Sequence, residues 1–84
     1  MNPTELRSIL NSSSELELRC LRHLLLRGTS LSRSERAMSA LELCELFELS
    51  ALELVPALNG LKNRAKSLSL RVIDGLLYLI LEVA

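Results

Sequence analysis

Aromatic residues are almost absent from this chain, which contains one tyrosine, one phenylalanine and no tryptophan among its 84 residues. Hydrophobic residues nevertheless make up 49% of the sequence, so leucine must build most of the core. The mean hydropathy lies above zero, which is high for a small domain that keeps much of its surface in water. We therefore expect some apolar surface to remain, where a partner protein or a second copy of the chain would bind.

Long hydrophobic runs are missing as well. No apolar stretch approaches the ~18–20 residues that a membrane-spanning helix needs, so no membrane partner is expected. The first five residues, MNPTE, lack the basic and apolar regions of a signal peptide. Two cysteines, Cys20 and Cys44, are too few for a disulfide framework and do not form a CxxC pair. Buried free thiols in a cytoplasmic protein are the simplest interpretation.

The side chains that carry most enzyme chemistry are scarce. His23 is the only histidine and Asp74 the only aspartate, and nothing in the pattern brings them together with a serine. Cys20, Cys44 and His23 lack the spacing of a metal site, and the three glycines do not form a phosphate-binding loop. We therefore expect no enzyme activity, no metal, no cofactor and no small-molecule substrate.

The charges balance at ten basic and ten acidic residues, but they are unevenly distributed. Residues 1–36 contain six arginines and four glutamates, whereas residues 37–58 contain four glutamates and no basic residue. The basic set is either a solvated helix face or a surface for an acidic partner, including the acidic segment of another copy. It consists of Arg19, Arg22, Arg27, Arg33 and Arg36.

Capping signals divide the chain into helices. Asn2 followed by Pro3 predicts the first helix start, because proline tolerates the first helical position. Capping boxes predict three more helix starts, at Ser14-x-x-Glu17, Ser39-x-x-Glu42 and Ser50-x-x-Glu53. We expect residues 1–12 to form an N-terminal helical arm, which is either a lid on the core or a dimerisation arm. Residues 13–84 would then form the main domain.

Local signals place the boundaries within that domain. Gly28 is expected to end the helix over residues 15–27 as a left-handed C-cap. Residues 29–35 are rich in serine and arginine and are expected to form a loop. Arg36–Met38 is expected to form a short edge strand that pairs with the hairpin. Pro56 removes a backbone hydrogen bond, so its helix is expected to begin near Leu54 or with a distorted first turn. The predicted buried face of the two central helices consists of Leu43, Leu46, Leu54, Leu58 and Leu61, with Phe47 nearby.

A β-hairpin is predicted at the C-terminus. Asp74–Gly75 lies between two β-rich runs and suits a two-residue type I′ turn, which pairs Ile73 with Leu76 and Arg71 with Tyr78. The core side would then carry Leu68, Leu70, Val72, Leu77, Leu79, Leu81 and Val83. The outer side would carry Ile73, Leu76, Tyr78 and Ile80, which is unusually apolar for a solvated hairpin.

Two helices joined by a tight turn and followed by a hairpin have the order of a winged helix, an α+β fold, here with an extra N-terminal helix. Residues 43–50, LCELFELS, resemble the second helix and turn of the bacterial MarR-type regulators. Residues 58–64, LNGLKNR, resemble the end of that family's recognition helix, and the match covers roughly residues 15–83. The resemblance implies transcription regulation, with bases read by the exposed early positions of the 50–64 helix.

Those positions have little DNA chemistry in this chain. Leu52, Val55 and Pro56 offer no hydrogen bonds to base edges. The hairpin tip is Ile73–Leu76, where the family tends to carry arginine. The candidate contacts to DNA phosphates are Lys62, Arg64, Lys66 and Arg71. Because the glutamates of residues 37–58 would repel phosphates, we expect weak nucleic-acid binding or none.

The sequence therefore predicts a non-catalytic regulatory or adaptor protein that acts by protein–protein binding, in a homodimer or a regulatory complex. The candidate protein-binding residues are Leu52, Val55, Pro56, Ile73, Leu76, Tyr78 and Ile80. One alternative is a DNA-binding transcriptional regulator. A second is an all-helical chaperone or secretion-type adaptor, in which residues 67–83 form a helix.

Overall fold

The computed structural model describes residues 2–83. Its elements are α1 (Pro3–Ser12), α2 (Glu15–Arg27), β1 (Thr29–Ser32), β2 (Glu35–Ser39), α3 (Ala40–Phe47), α4 (Ala51–Arg64), β3 (Leu68–Ile73) and β4 (Leu76–Glu82). The four strands form one antiparallel sheet in the order β1-β2-β4-β3. The predicted α+β class is confirmed, and the alternative of an all-helical chain is wrong. Among residues 2–83, no helix has both the length and the apolarity that crossing a bilayer requires.

The helix starts follow the capping signals, with one exception. The Asn2 side chain accepts a hydrogen bond from the Glu5 N–H at 2.8 Å, and Ser14 forms a complete capping box. Ser39 Oγ accepts from the third N–H of α3 at 3.1 Å. Ser50 precedes α4 but makes no side-chain cap, because its hydroxyl donates instead to the Glu53 carboxylate at 3.2 Å.

Helix α4 begins at Ala51 and runs through Pro56, so the expected start near Leu54 is wrong. Proline at that position leaves the Leu52 carbonyl without its helical donor. Leu52 lies in the exposed first turn, where water can hydrogen-bond to that carbonyl. The proline is therefore tolerated near the end of the helix that faces solvent.

The C-terminal hairpin is confirmed with its predicted register, in which Ile73 pairs with Leu76 and Arg71 with Tyr78. Asp74 and Gly75 both have positive φ, at 52° and 81°, as a type I′ turn requires. The strand predicted just before α3 is also present and pairs with β4. It is not an edge strand, however, because β1 covers its other side.

The segment after α2 differs from expectation. Residues 29–32 form strand β1 instead of a loop. All four residues are exposed, so the strand needs no alternating apolar pattern. Its sequence therefore resembles that of a loop. Gly28 is extended, with φ −63° and ψ 149°, and is not the predicted left-handed cap. The chain passes from α2 into β1 at this point, and a Cβ atom on Gly28 would collide with the Leu24 carbonyl.

The core lies between the helices and one face of the sheet, and leucine dominates it. Its fully buried members include Ile9, Leu24, Leu43, Leu54, Leu58, Leu61, Leu79 and Leu81. Because Ile9 belongs to this cluster, α1 covers part of the protein's own core. Three predicted core residues are exposed, namely Leu46 on α3, Val72 near the hairpin tip and Val83 just after β4.

Candidate functional site

The predicted protein-binding residues form two groups, one at the start of α4 and one on the hairpin. On α4, Leu52 is 89% exposed and Pro56 is exposed, while Val55 is half-buried. On the hairpin, Leu76 is 41% exposed and pairs with the half-buried Ile73. Tyr78 is half-buried as well. No hydrogen bond or ion pair among residues 2–83 joins the two groups, so the fold alone positions them.

Ile80 does not belong to an accessible surface, because it is only 1% exposed. The Arg71 Nη2 atom lies 2.9 Å from Glu35 Oε2. Arg71 pairs with Tyr78, and Glu35 pairs with Glu82. Since Ile80 lies between those two positions on β4, the ion pair crosses the outer face of the sheet above it. Ile80 is therefore not on the accessible surface that the sequence predicts for it, and its contact with a partner stays a prediction.

Two of the four predicted DNA-contacting residues form ion pairs within the protein. The hydrogen bond from Arg71 lowers the pKa of the Glu35 carboxyl, so Arg71 is engaged within the protein. Arg64 is engaged as well, by an ion pair with Glu17. Lys62 and Lys66 are exposed and form no ion pair with any residue from 2 to 83. Half of the predicted phosphate contacts are thus already neutralised internally.

The ion pair between Glu17 and Arg64 links α2 to α4, and the sequence alone does not predict it. The Glu17 side chain is only 7% exposed. Burial by itself raises the pKa of Glu17, but hydrogen bonds from the Ser14 N–H and the Arg64 guanidinium outweigh it, so the pKa is lowered overall. Gly60 makes room for the pair, because a Cβ atom there would collide with the Glu17 carboxylate. A glycine one turn before an arginine was the only signal in the sequence.

A second surface that sequence reasoning missed is a groove of about 460 Å³ between α1 and α2. We call it the leucine groove. It is lined by Leu6, Leu10, Leu18, Leu21, Leu25, Leu26 and, as its only charged member, Arg22. Leu26 is 68% exposed, and Leu6, Leu10 and Leu25 are exposed too. Three consecutive leucines, at positions 24–26, were the signal, because one helix face cannot bury all three.

The exposed side of α3 is acidic, whereas the charged residue that lines the leucine groove is the basic Arg22. Leu41, Glu42, Glu45 and Leu46 are all exposed, and we call these four residues the acidic ridge. Three of them line a depression of about 400 Å³ together with Arg27 and Met38. Because Leu26 lines the leucine groove and Arg27 lines this depression, the two features meet at the C-terminal end of α2.

The remaining candidate groups lie where α2 faces α3, and of these Cys20 is buried, His23 and Phe47 are half-buried and Arg19 is exposed. The Arg19 guanidinium carbon lies 4.5 Å from the centre of the Phe47 ring, and the His23 ring meets the same ring edge-on at 5.1 Å. Burial raises the pKa of the Cys20 thiol to about 11, which keeps it protonated and unreactive. Cys44 is half-buried, and neither cysteine is in a disulfide. Residues 2–83 hold no cluster of three potential metal ligands.

Comparison of the chain with protein-family models, with curated proteins and with solved structures finds no match.

Proposed function

We propose that this protein is a non-catalytic regulatory adaptor of winged-helix-like architecture that binds another protein through the start of α4 and the hairpin tip. The element order supports the architecture, because α3 and α4 are joined by a tight turn and followed by the β3–β4 hairpin. Glu48 makes that turn in the left-handed region, with φ 55°. The strand before α3 pairs with β4, as in a winged helix, where the second of the two helices would read DNA.

The observation that carries the proposal is the exposure of Leu52 in the first turn of that helix. A leucine 89% exposed to water gains about 1.5–3 kcal/mol when a partner covers it. It can make no hydrogen bond to a base edge. Leu76 at the hairpin tip has the same character and is the second exposed anchor of this surface. Both positions that would face DNA in a winged helix therefore favour an apolar partner.

The charges near Leu52 indicate which proteins would fit. Glu48 and Glu53 are exposed on either side of it in the sequence, and no lysine or arginine lies between residues 37 and 58. Phosphate groups would be repelled from this end of α4, whereas basic side chains would be attracted. The expected partner therefore presents an apolar patch with basic residues around it.

We expect the double variant L52E/L76E to lose the partner, because both anchors become charged. The partner is first recovered with the wild-type chain, identified by mass spectrometry and purified, and dissociation constants are then measured by calorimetry. The double variant should bind at least about 100-fold more weakly, since each buried leucine contributes roughly a tenfold factor or more. Leu31→Glu is the matched control, because Leu31 is as exposed as Leu76 but lies on β1, and this variant should bind the partner normally.

The DNA-binding alternative is tested with the same proteins. Each is titrated with a library of random duplexes at physiological salt, and sequence enrichment is measured. We expect weak binding without sequence preference. Nanomolar, sequence-selective binding by the wild-type chain would overturn the proposal, and so would unchanged partner affinity in L52E/L76E with a folded far-UV circular dichroism spectrum.

A further inference from the structure

We propose that the protein forms a symmetric homodimer in which the acidic ridge of each copy lies in the leucine groove of the other. The two surfaces are complementary in both apolarity and charge. The groove offers leucines and the positive Arg22. The ridge offers two exposed leucines with two glutamates beside them. This dimer does not use the start of α4 or the hairpin tip, so it is independent of the function proposed above.

Other pairings of the two surfaces are unfavourable. If two grooves faced each other, two Arg22 side chains would meet in an apolar contact, where like charges repel strongly. If two ridges faced each other, four glutamates would come together with only two Arg27 side chains beside them. Groove against ridge places leucine on leucine and brings Arg22 near the two ridge glutamates. The chain itself therefore carries the occupant that its groove fits.

The positions of the two surfaces favour a closed dimer over an open chain of copies. Groove and ridge are neighbours, since Leu26 lines one and Arg27 lines the depression beside the other. A two-fold axis near the C-terminal end of α2 would make both contacts at once, one in each direction. The contact is then formed twice, which doubles the apolar area that a single groove buries.

Charge reversal on one surface tests this arrangement. In R22E the groove of one copy repels the ridge of the next, and in E42R/E45R the reversed ridge repels the groove. Each variant should be monomeric when alone, with a dissociation constant raised at least about 100-fold because like charges then meet twice per dimer. Mass in solution, measured by sedimentation equilibrium, separates the 9.4 kDa monomer from a species of twice that mass.

Mixing the two variants gives the sharper result. Copies of R22E and E42R/E45R attract each other at both contacts, because a reversed groove meets a reversed ridge and a native groove meets a native ridge. We expect the equimolar mixture to form a heterodimer although neither component dimerises alone. Arg33→Glu is the matched control, since it makes the same charge change in the β1–β2 turn and should leave the wild-type dimer intact.

Three outcomes would overturn the proposal. They are a wild-type chain that stays monomeric at high micromolar concentration, a dimer that persists in both reversed variants, and a mixture of folded variants that fails to associate. Leu26→Lys is a second probe of the groove and should also give a folded monomer. The variant L52E/L76E should remain dimeric, so a failure of the dimer is distinguishable from a failure of the proposed function.

Discussion

Gly60 lies inside α4, where glycine is ordinarily unfavourable by about 1 kcal/mol relative to alanine. The structure explains its presence, because a Cβ atom there would collide with the Glu17 carboxylate and approach Arg64 Nη1 at 2.9 Å. The carboxylate cannot move aside freely, since it also accepts a hydrogen bond from the Ser14 N–H at 2.8 Å. The sequence could indicate close packing at this glycine, but it could not name a partner from α2.

Replacing Gly60 with alanine is therefore expected to destabilise the protein, although alanine is ordinarily the better helix former. We expect G60A to lower the free energy of unfolding by about 1 kcal/mol, because the loss of a charged hydrogen bond exceeds the gain in helix propensity. In the E17A background the obstacle is gone, and the same substitution should raise the free energy of unfolding by up to about 1 kcal/mol. Urea denaturation of the four proteins measures this cycle. Stabilisation by G60A in both backgrounds would show that the ion pair does not need the glycine.

At the scale of elements, the helix starts and the hairpin could be predicted from the sequence, because they depend on interactions between neighbouring residues. The starts of α1, α2 and α3 could be predicted because capping depends on residues only three positions apart. The hairpin could be predicted because its turn type follows from Asp74–Gly75. Strand β1 could not, since its exposed residues carry no periodic signal and its order comes from pairing with β2. The extended conformation of Gly28 follows from that missed strand.

The surfaces were harder to predict than the elements. Periodicity identifies an apolar face but not whether the same chain covers it, so the exposure of the leucine groove could not be predicted. Alternation along β4 placed Ile80 on the outer face, yet it could not reveal that the ion pair between Arg71 and Glu35 covers that position. Such long-range pairs depend on sheet order, which the sequence does not state.

The hairpin turn offers a test at this scale. Gly75 has φ 81°, and nothing lies within 4 Å of the Cβ position. Gly75→Ala should therefore lower the free energy of unfolding by about 1–2 kcal/mol through backbone strain alone. Asp74→Asn is the matched control, because asparagine tolerates the left-handed region and should change stability little. Thermal unfolding followed by circular dichroism compares the two, and equal melting temperatures would contradict the type I′ assignment.

For the whole molecule, the central question is whether α1 is an arm or part of the folding unit. The fully buried Ile9 lies in the same cluster as leucines of α2, α4 and β4. The Glu5 carboxylate also accepts a hydrogen bond from Ser67 Oγ at 3.3 Å, just before β3. These contacts span almost the entire chain length. A domain this small has little stability to lose, so its first helix and last strands should unfold together.

Ile9→Ala tests that cooperativity, because it leaves a cavity among core side chains and should cost about 2–5 kcal/mol. Tyr78 is the only tyrosine of a chain without tryptophan, so its fluorescence reports on β4 alone, while far-UV circular dichroism reports mainly on the helices. Both urea transitions should move to lower concentration by the same amount. Arg7→Ala shortens an exposed side chain on the same helix and should shift neither urea transition. If I9A changes the helical signal but leaves the Tyr78 transition at its wild-type midpoint, α1 unfolds separately from the strands and is not part of the same folding unit.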